Sequence, residues 1–189
     1  MRIMKHVRTL HIYVSMFGLI ILLFFSVTGF TLNHAEWFAS DEPRVVEVAG
    51  QVEVSLLAEP DKFAVVEALR RNLHLTGGVD SFEIEEEQCH IEFKRPGSHA
   101  HVNVNRMTGI VTAEVTSFGA MAVINDLHMG RDSGAGWSLL IDISAWLMVF
   151  VSLSGIVLLL SLRKRRKAGL IAMVVGLLVS FAVYVWLVP

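Results

Sequence analysis

The chain has 189 residues, of which 53% are apolar and 18% charged, with a formal net charge of -2. A soluble domain usually carries about 25% charged residues, and a disordered chain needs low hydrophobicity with high charge, so the composition argues against both. Cys89 is the only cysteine, which excludes an intrachain disulfide and any zinc site built from several thiolates.

In chain order, residues 1–11 are a short basic N-terminus with Arg2, Lys5 and Arg8. Residues 12–32 hold no charged residue. A bilayer core about 30 Å thick needs ~20 apolar residues as a helix, so this run reads as a first membrane span. It exceeds the ~7–15-residue apolar core of a secretory signal and no A-x-A-like cleavage site follows, so it reads as a retained helix. Residues 33–137 are polar and are expected to form a domain outside the membrane. Residues 138–162 and 168–188 read as second and third spans, joined by the basic link 163–167, Arg163-Lys164-Arg165-Arg166-Lys167. Trp37, Trp137 and Trp186 are placed as interface anchors on the outer side.

Lys and Arg set the orientation of such spans. The N-terminus and the 163–167 link hold no acid, whereas all eighteen acids lie from Glu36 to Asp142 alongside eight Lys and Arg. Both basic segments are therefore expected on the cytoplasmic side, and 33–137 in a periplasm. The link reads as a topology determinant against anionic headgroups, and no nucleic-acid partner is expected.

Within the outer segment, 36–58 reads as a lead-in loop with one strand at 45–48. Residues 61–73 have helical spacing, with Phe63, Val66, Leu69 and Leu73 on one face and Asp61 as N-cap. Strands follow. Phe82 and Ile84, then Ile91 and Phe93, then Ala100, Val102 and Val104 each alternate with polar residues, and 110–115 is a fourth candidate. Pro96-Gly97 and Met107-Thr108-Gly109 are the turns. A helix and a meander of three or four strands, apolar on one face, make a small α+β domain. The expected fold class is an α-helical membrane protein with three transmembrane helices and one such domain.

The helix, the short strands and the run Val104-Asn105-Arg106-Met107-Thr108-Gly109-Ile110-Val111 resemble a PepSY domain, a family in which an Asn/Asp-x-x-Thr-Gly turn commonly joins the last two strands. Arg8-Thr9-Leu10-His11, Gly18 and Thr28-Gly29-Phe30 resemble the first helix of PepSY-associated transmembrane proteins. Leu127-His128-Met129-Gly130 and the later Ser154-Gly155 extend the resemblance. It implies kinship with inner-membrane reductases of iron and siderophore uptake, and hence haem b held by histidines with electrons delivered to a periplasmic acceptor. The alternatives are a non-catalytic, membrane-anchored binding or peptidase-regulating module, since PepSY domains also occur as peptidase propeptide inhibitors, or an accessory subunit of a larger membrane complex. Larger members have four or more spans; this chain has three.

Two histidines on opposite faces of a haem must lie at one membrane depth. His11 and His34 bracket the first span, roughly 35 Å apart along a helix, and cannot share a haem within one chain. His34 and His128 both lie at the outer boundary and are the expected ligand pair, with Asn33, Asp126 or Asp142 orienting the rings. Asp142, near the apolar zone, is expected to pair with a His or with Arg131. His11 needs His6, a second copy or another subunit to complete a site, so a homodimer or a membrane partner subunit is expected. Plain interfacial histidines and ordinary helix packing are the competing readings.

A second candidate lies on the hairpin turning at Pro96-Gly97. With Lys94 opposite His99, Glu92 falls opposite His101, so His99, His101 and Glu92 share a wet face suited to zinc, copper or ferrous iron; a plain solvated sheet face is the alternative. Ser15, Gly18, Leu22, Ser26 and Gly29 in the first span, and Ser144, Met148, Ser152 and Gly155 in the second, are small-residue stripes that predict contact between the two. Covalent flavin is not expected, because Asp132-Ser133-Gly134-Ala135-Gly136 has Gly136 where an acceptor hydroxyl is needed. There is no H-E-x-x-H, G-x-S-x-G or P-loop. The acidic run Glu83, Glu85, Glu86 and Glu87 would suit a basic periplasmic protein partner.

Overall fold

The computed structural model describes residues 2–38, 42–58 and 60–189; residues 39–41 and 59 of the expected lead-in loop lie outside them. The chain divides into two units, Phe24–Ile141 and Met1–Leu23 with Asp142–Pro189. Helix α1, Arg2–Asn33, contributes to both.

In the first unit, α1 ends in a short 3-10 turn, Ala35–Trp37. Strand β1 (Arg44–Gln51), helices α2 (Ser55–Ala58) and α3 (Lys62–Leu73), strands β2 (Gly78–Ile84), β3 (Gln88–Arg95), β4 (Ser98–Asn105) and β5 (Ile110–Ser117), and helix α4 (Gly119–Met129) follow. The sheet is antiparallel in the order β1-β5-β4-β3-β2. The expected meander is thus extended by β1, which pairs with β5 at the far edge. The chain crosses from one sheet edge to the other through α2 and α3.

The polar/apolar alternation places Cys89, Ile91, Phe93, Val102, Val104 and Val111 on one buried face. Helix α3 covers them with Val65, Val66, Leu69 and Leu73. An isolated helix of this length is marginal in water. Burial of each such side chain contributes about 1.5–3 kcal/mol, so packing on the sheet is what holds α3. Asp61 caps it as expected, accepting from the Phe63 and Ala64 amides. Phe63 departs from expectation: it is 74% exposed, because it lies in the first turn, and Val65 takes the inward place. Burial pushes the Cys89 thiol up, the Arg106 charge offsetting this only in part. Cys89 is thereby kept as a protonated core hydrophobe.

Helix α4, in the return segment, was not foreseen. Ala120, Val123, Ile124 and Leu127 have its period, and Gly130 closes it in a left-handed conformation.

In the second unit, α5 (Gly134–Ser161) and α6 (Arg166–Leu187) join the N-terminal part of α1. All three helices are long and apolar enough to cross a membrane. They leave large side chains such as Phe17, Trp146, Leu177 and Phe181 exposed, as lipid-facing helices do. The expected stripes meet: Gly18 faces Leu147. Ser15, Gly18 and Leu22 line a cleft of about 270 Å³ with Ser144, Met148 and Ser152. Gly169 of α6 lies directly against Leu159 of α5.

Candidate functional site

His128 lies in the last turn of α4 and is half-buried. Its Nδ1 lies 2.5 Å from Thr28 Oγ1 on α1. The Thr28 hydroxyl donates to the Phe24 carbonyl at 2.7 Å, as helical threonines commonly do. A hydroxyl has one hydrogen, so when it goes to the Phe24 carbonyl the Thr28 oxygen is free to accept from His128 Nδ1, the tautomer that leaves Nε2 bare. Gly29 makes room beside it: a Cβ there would stand 3.4 Å from His128 Cε1. The ring also meets Phe25 edge-on at 5.3 Å.

His11 repeats the arrangement in the other unit. Its Nδ1 lies 2.7 Å from Ser154 Oγ on α5. Ser154 Oγ also lies within donating distance of the Val151 carbonyl, at 3.1 Å, so it can accept from His11 Nδ1 in the same way. Gly155 supplies the space, with a Cβ position 3.6 Å from His11 Cε1. Each imidazole thus rests on a hydroxyl residue followed by glycine, Thr28-Gly29 or Ser154-Gly155. Neither Nε2 has a partner among the described residues. Donation from one ring nitrogen to an oxygen, with the other left bare, is how metal-binding histidines are commonly held.

His34, the other expected ligand, has different surroundings from His128. The His34 ring stacks on Trp37, 3.9 Å between centroids and 14° between planes, and leans on Phe30. Asn33 Nδ2 lies 3.5 Å from His34 Nε2. Asp126 does not orient a ring directly: its carboxylate is buried, accepts the Gly97 amide at 2.8 Å and pairs with Arg131 at 3.6 Å. Asp142 is exposed and makes no ion pair among the described residues.

On the sheet, the expected register is found: Glu92 opposes His101, and Lys94 opposes His99. His101 Nε2 lies 3.8 Å from Glu92 Oε1. His99 instead turns its ring to Phe118, at 5.4 Å, and Glu92 also faces Lys94 at 3.4 Å. A hydrogen bond to Asp80, reinforced by Glu92, holds the Lys94 ammonium above its ordinary pKa. Lys94 thus occupies the carboxylate a metal would need. Among the described residues, no three His, Cys, Asp or Glu side chains are placed to hold a metal ion.

Thr28, Ser154 and α4 were missed in the sequence, although Thr28-Gly29 and Ser154-Gly155 are visible there as hydroxyl-glycine pairs. They enter the sequence reading through the family resemblance, which assigns the hydroxyls no role.

No curated protein and no solved structure matches the chain. The family model described as "Putative PepSY_TM-like" matches residues 4–189. That match runs through the sheet unit and all three apolar helices, and the chain therefore belongs to the PepSY_TM-like family.

Proposed function

We propose that this protein is a haem-binding electron-transfer component of the bacterial inner membrane, with His128 and His11 as iron ligands. The reading keeps the N-terminus and the 163–167 link in the cytoplasm and the sheet domain in the periplasm, in accord with the charge distribution. The observation that carries it is the pair of hydroxyl-glycine cradles, each presenting an unpartnered Nε2. Haem, when bound, supplies a one-electron carrier in a low-dielectric site. The chain's own contribution is to fix the ring orientation and tautomer at each position and to surround it with apolar side chains.

Each cradle supplies one histidine. A further ligand would have to come from a second copy of the chain or from a membrane partner subunit, and the working unit would then be an oligomer. His128 lies at the periplasmic end of α1 in this orientation, as delivery to ferric iron, a siderophore or a carrier protein requires.

Haem content by pyridine haemochrome tests the assignment. His128→Ala and His11→Ala should each remove about half of the haem per chain, and the double variant all of it, whereas His34→Ala should retain it. Full haem in the double variant would refute it.

The non-catalytic alternative is favoured by one observation. Glu47, Glu114 and Glu92 flank His101 in one cross-strand row, and Glu83, Glu85, Glu86 and Glu87 are exposed. This acidic surface suits a basic periplasmic protein.

A further inference from the structure

Helix α4 makes polar bonds to two different parts of its unit. Towards α1, His128 bonds Thr28, and the Asn125 side-chain amide lies 3.3 Å from Thr31 Oγ1, whose hydroxyl also reaches the Thr28 carbonyl at 2.9 Å. Towards the sheet, Asp126 Oδ2 accepts the amide of Gly97 in the β3–β4 turn at 2.8 Å. The Gly97 carbonyl in turn accepts the Phe118 amide at 2.9 Å, just before α4 begins. The C-terminal end of α4 is closed by Gly130, by the Arg131 amide on the Asp126 carbonyl at 2.8 Å, and by the Trp137 indole on the Leu127 carbonyl at 2.7 Å. A helix of 11 residues closed in this way moves as a short rod.

We propose that Asp126 is a positioning residue for His128, locking α4 to the β3–β4 turn so that the imidazole stays against Thr28. The carboxylate side chain is only 12% exposed. Without it the buried Gly97 amide has no acceptor, and an unsatisfied buried donor is costly. The helix then shifts to relieve it. A hydroxyl–imidazole hydrogen bond weakens steeply once distance and angle are lost, so a displacement of under an ångström at Asp126 is enough to release the ring two residues away. The ring then loses its single tautomer. The inference rests on the assignment of His128 as a ligand only for its consequence; the geometry is independent of haem.

The test is ring-nitrogen NMR of the full chain in lipid nanodiscs, without haem, with 15N-labelled histidine and His128 assigned by its loss in His128→Asn. The wild type should show one protonated and one bare nitrogen for His128. Asp126→Asn, which keeps an acceptor for the Gly97 amide, should retain that pattern. Asp126→Ala should collapse it to the averaged pair of a ring exchanging between tautomers, as should Thr28→Val. If Asp126→Ala does not yield monodisperse protein, Asp126→Ser replaces it, since its hydroxyl is too short to reach Gly97. A wild-type pattern in Asp126→Ala or Asp126→Ser would overturn the proposal, as would its loss in Asp126→Asn. Because no haem is present, a failed haem assignment leaves this result intact.

Discussion

Replacing Gly109 with alanine should lower the stability of the sheet by about 2–4 kcal/mol. Gly109 closes the β4–β5 turn with φ at +71°, a conformation that L side chains rarely adopt. A Cβ there would also run into the Val52 carbonyl oxygen. The backbone cannot yield, because Val52 N donates to the Gly109 carbonyl at 2.9 Å and Gly109 N donates to Asn105 at 2.8 Å. Asn105 Oδ1 gathers the Met107 amide, the Thr108 amide and the Thr108 hydroxyl, all at 3.0 Å. This explains the Asn-x-x-Thr-Gly run: Asn supplies the acceptor, Thr a second anchor and Gly the only residue that fits. Hydrogen exchange of β4 and β5 amides in the full chain measures the loss. Met107→Ala, at a side chain 76% exposed, is the control and should change little. Unaltered protection in Gly109→Ala would contradict the packing described.

Arg106→Met should cost roughly 2–3 kcal/mol, and its effect should begin elsewhere. The Arg106 guanidinium donates to the Leu57 carbonyl at 3.1 and 3.2 Å and to the Glu85 carbonyl at 2.7 Å, with Glu86 at 3.2 Å. It therefore ties the end of α2 to the β2–β3 turn. Methionine keeps much of the stem but none of the five donors. Exchange should accelerate first in α2 and at residues 85–88, before the strand centres. Uniform acceleration across the sheet would mean that Arg106 acts through the core instead. Its bonds all go to backbone, so the residue reads as structural despite its place in the family motif.

The parts of the fold that could be read in the sequence are those with a local cause. Strands β2 to β5 show polar/apolar alternation because one sheet face is wet, and the Pro96-Gly97 turn fixes a register that placed Glu92 opposite His101. The membrane-length helices follow from uninterrupted apolar runs. What failed needed distant information. Helical spacing cannot say where the sheet ends, so Phe63 was assigned to the core. The edge position of β1 beside β5 depends on a partner about sixty residues later. The bond of His128 to Thr28 and the stacking of His34 on Trp37 likewise depend on how the chain folds back, which no local pattern shows. Helix α4 is legible in its own period, at Ala120, Val123, Ile124 and Leu127.

The two cradles share a logic that neither sequence segment shows alone. A hydroxyl that serves its own helix backbone is left to accept from the imidazole, which favours the tautomer with a bare Nε2. Glycine in the next position lets the ring approach closely. Both features recur at His11 and His128 although the hydroxyl lies on α5 in one case and α1 in the other.

The most direct measurement is the optical spectrum of the detergent-purified full chain, expressed with haem supply, before and after dithionite. The assignment of His11 and His128 predicts a Soret band that shifts on reduction, with resolved α and β bands. A featureless spectrum from folded, monodisperse protein would contradict it.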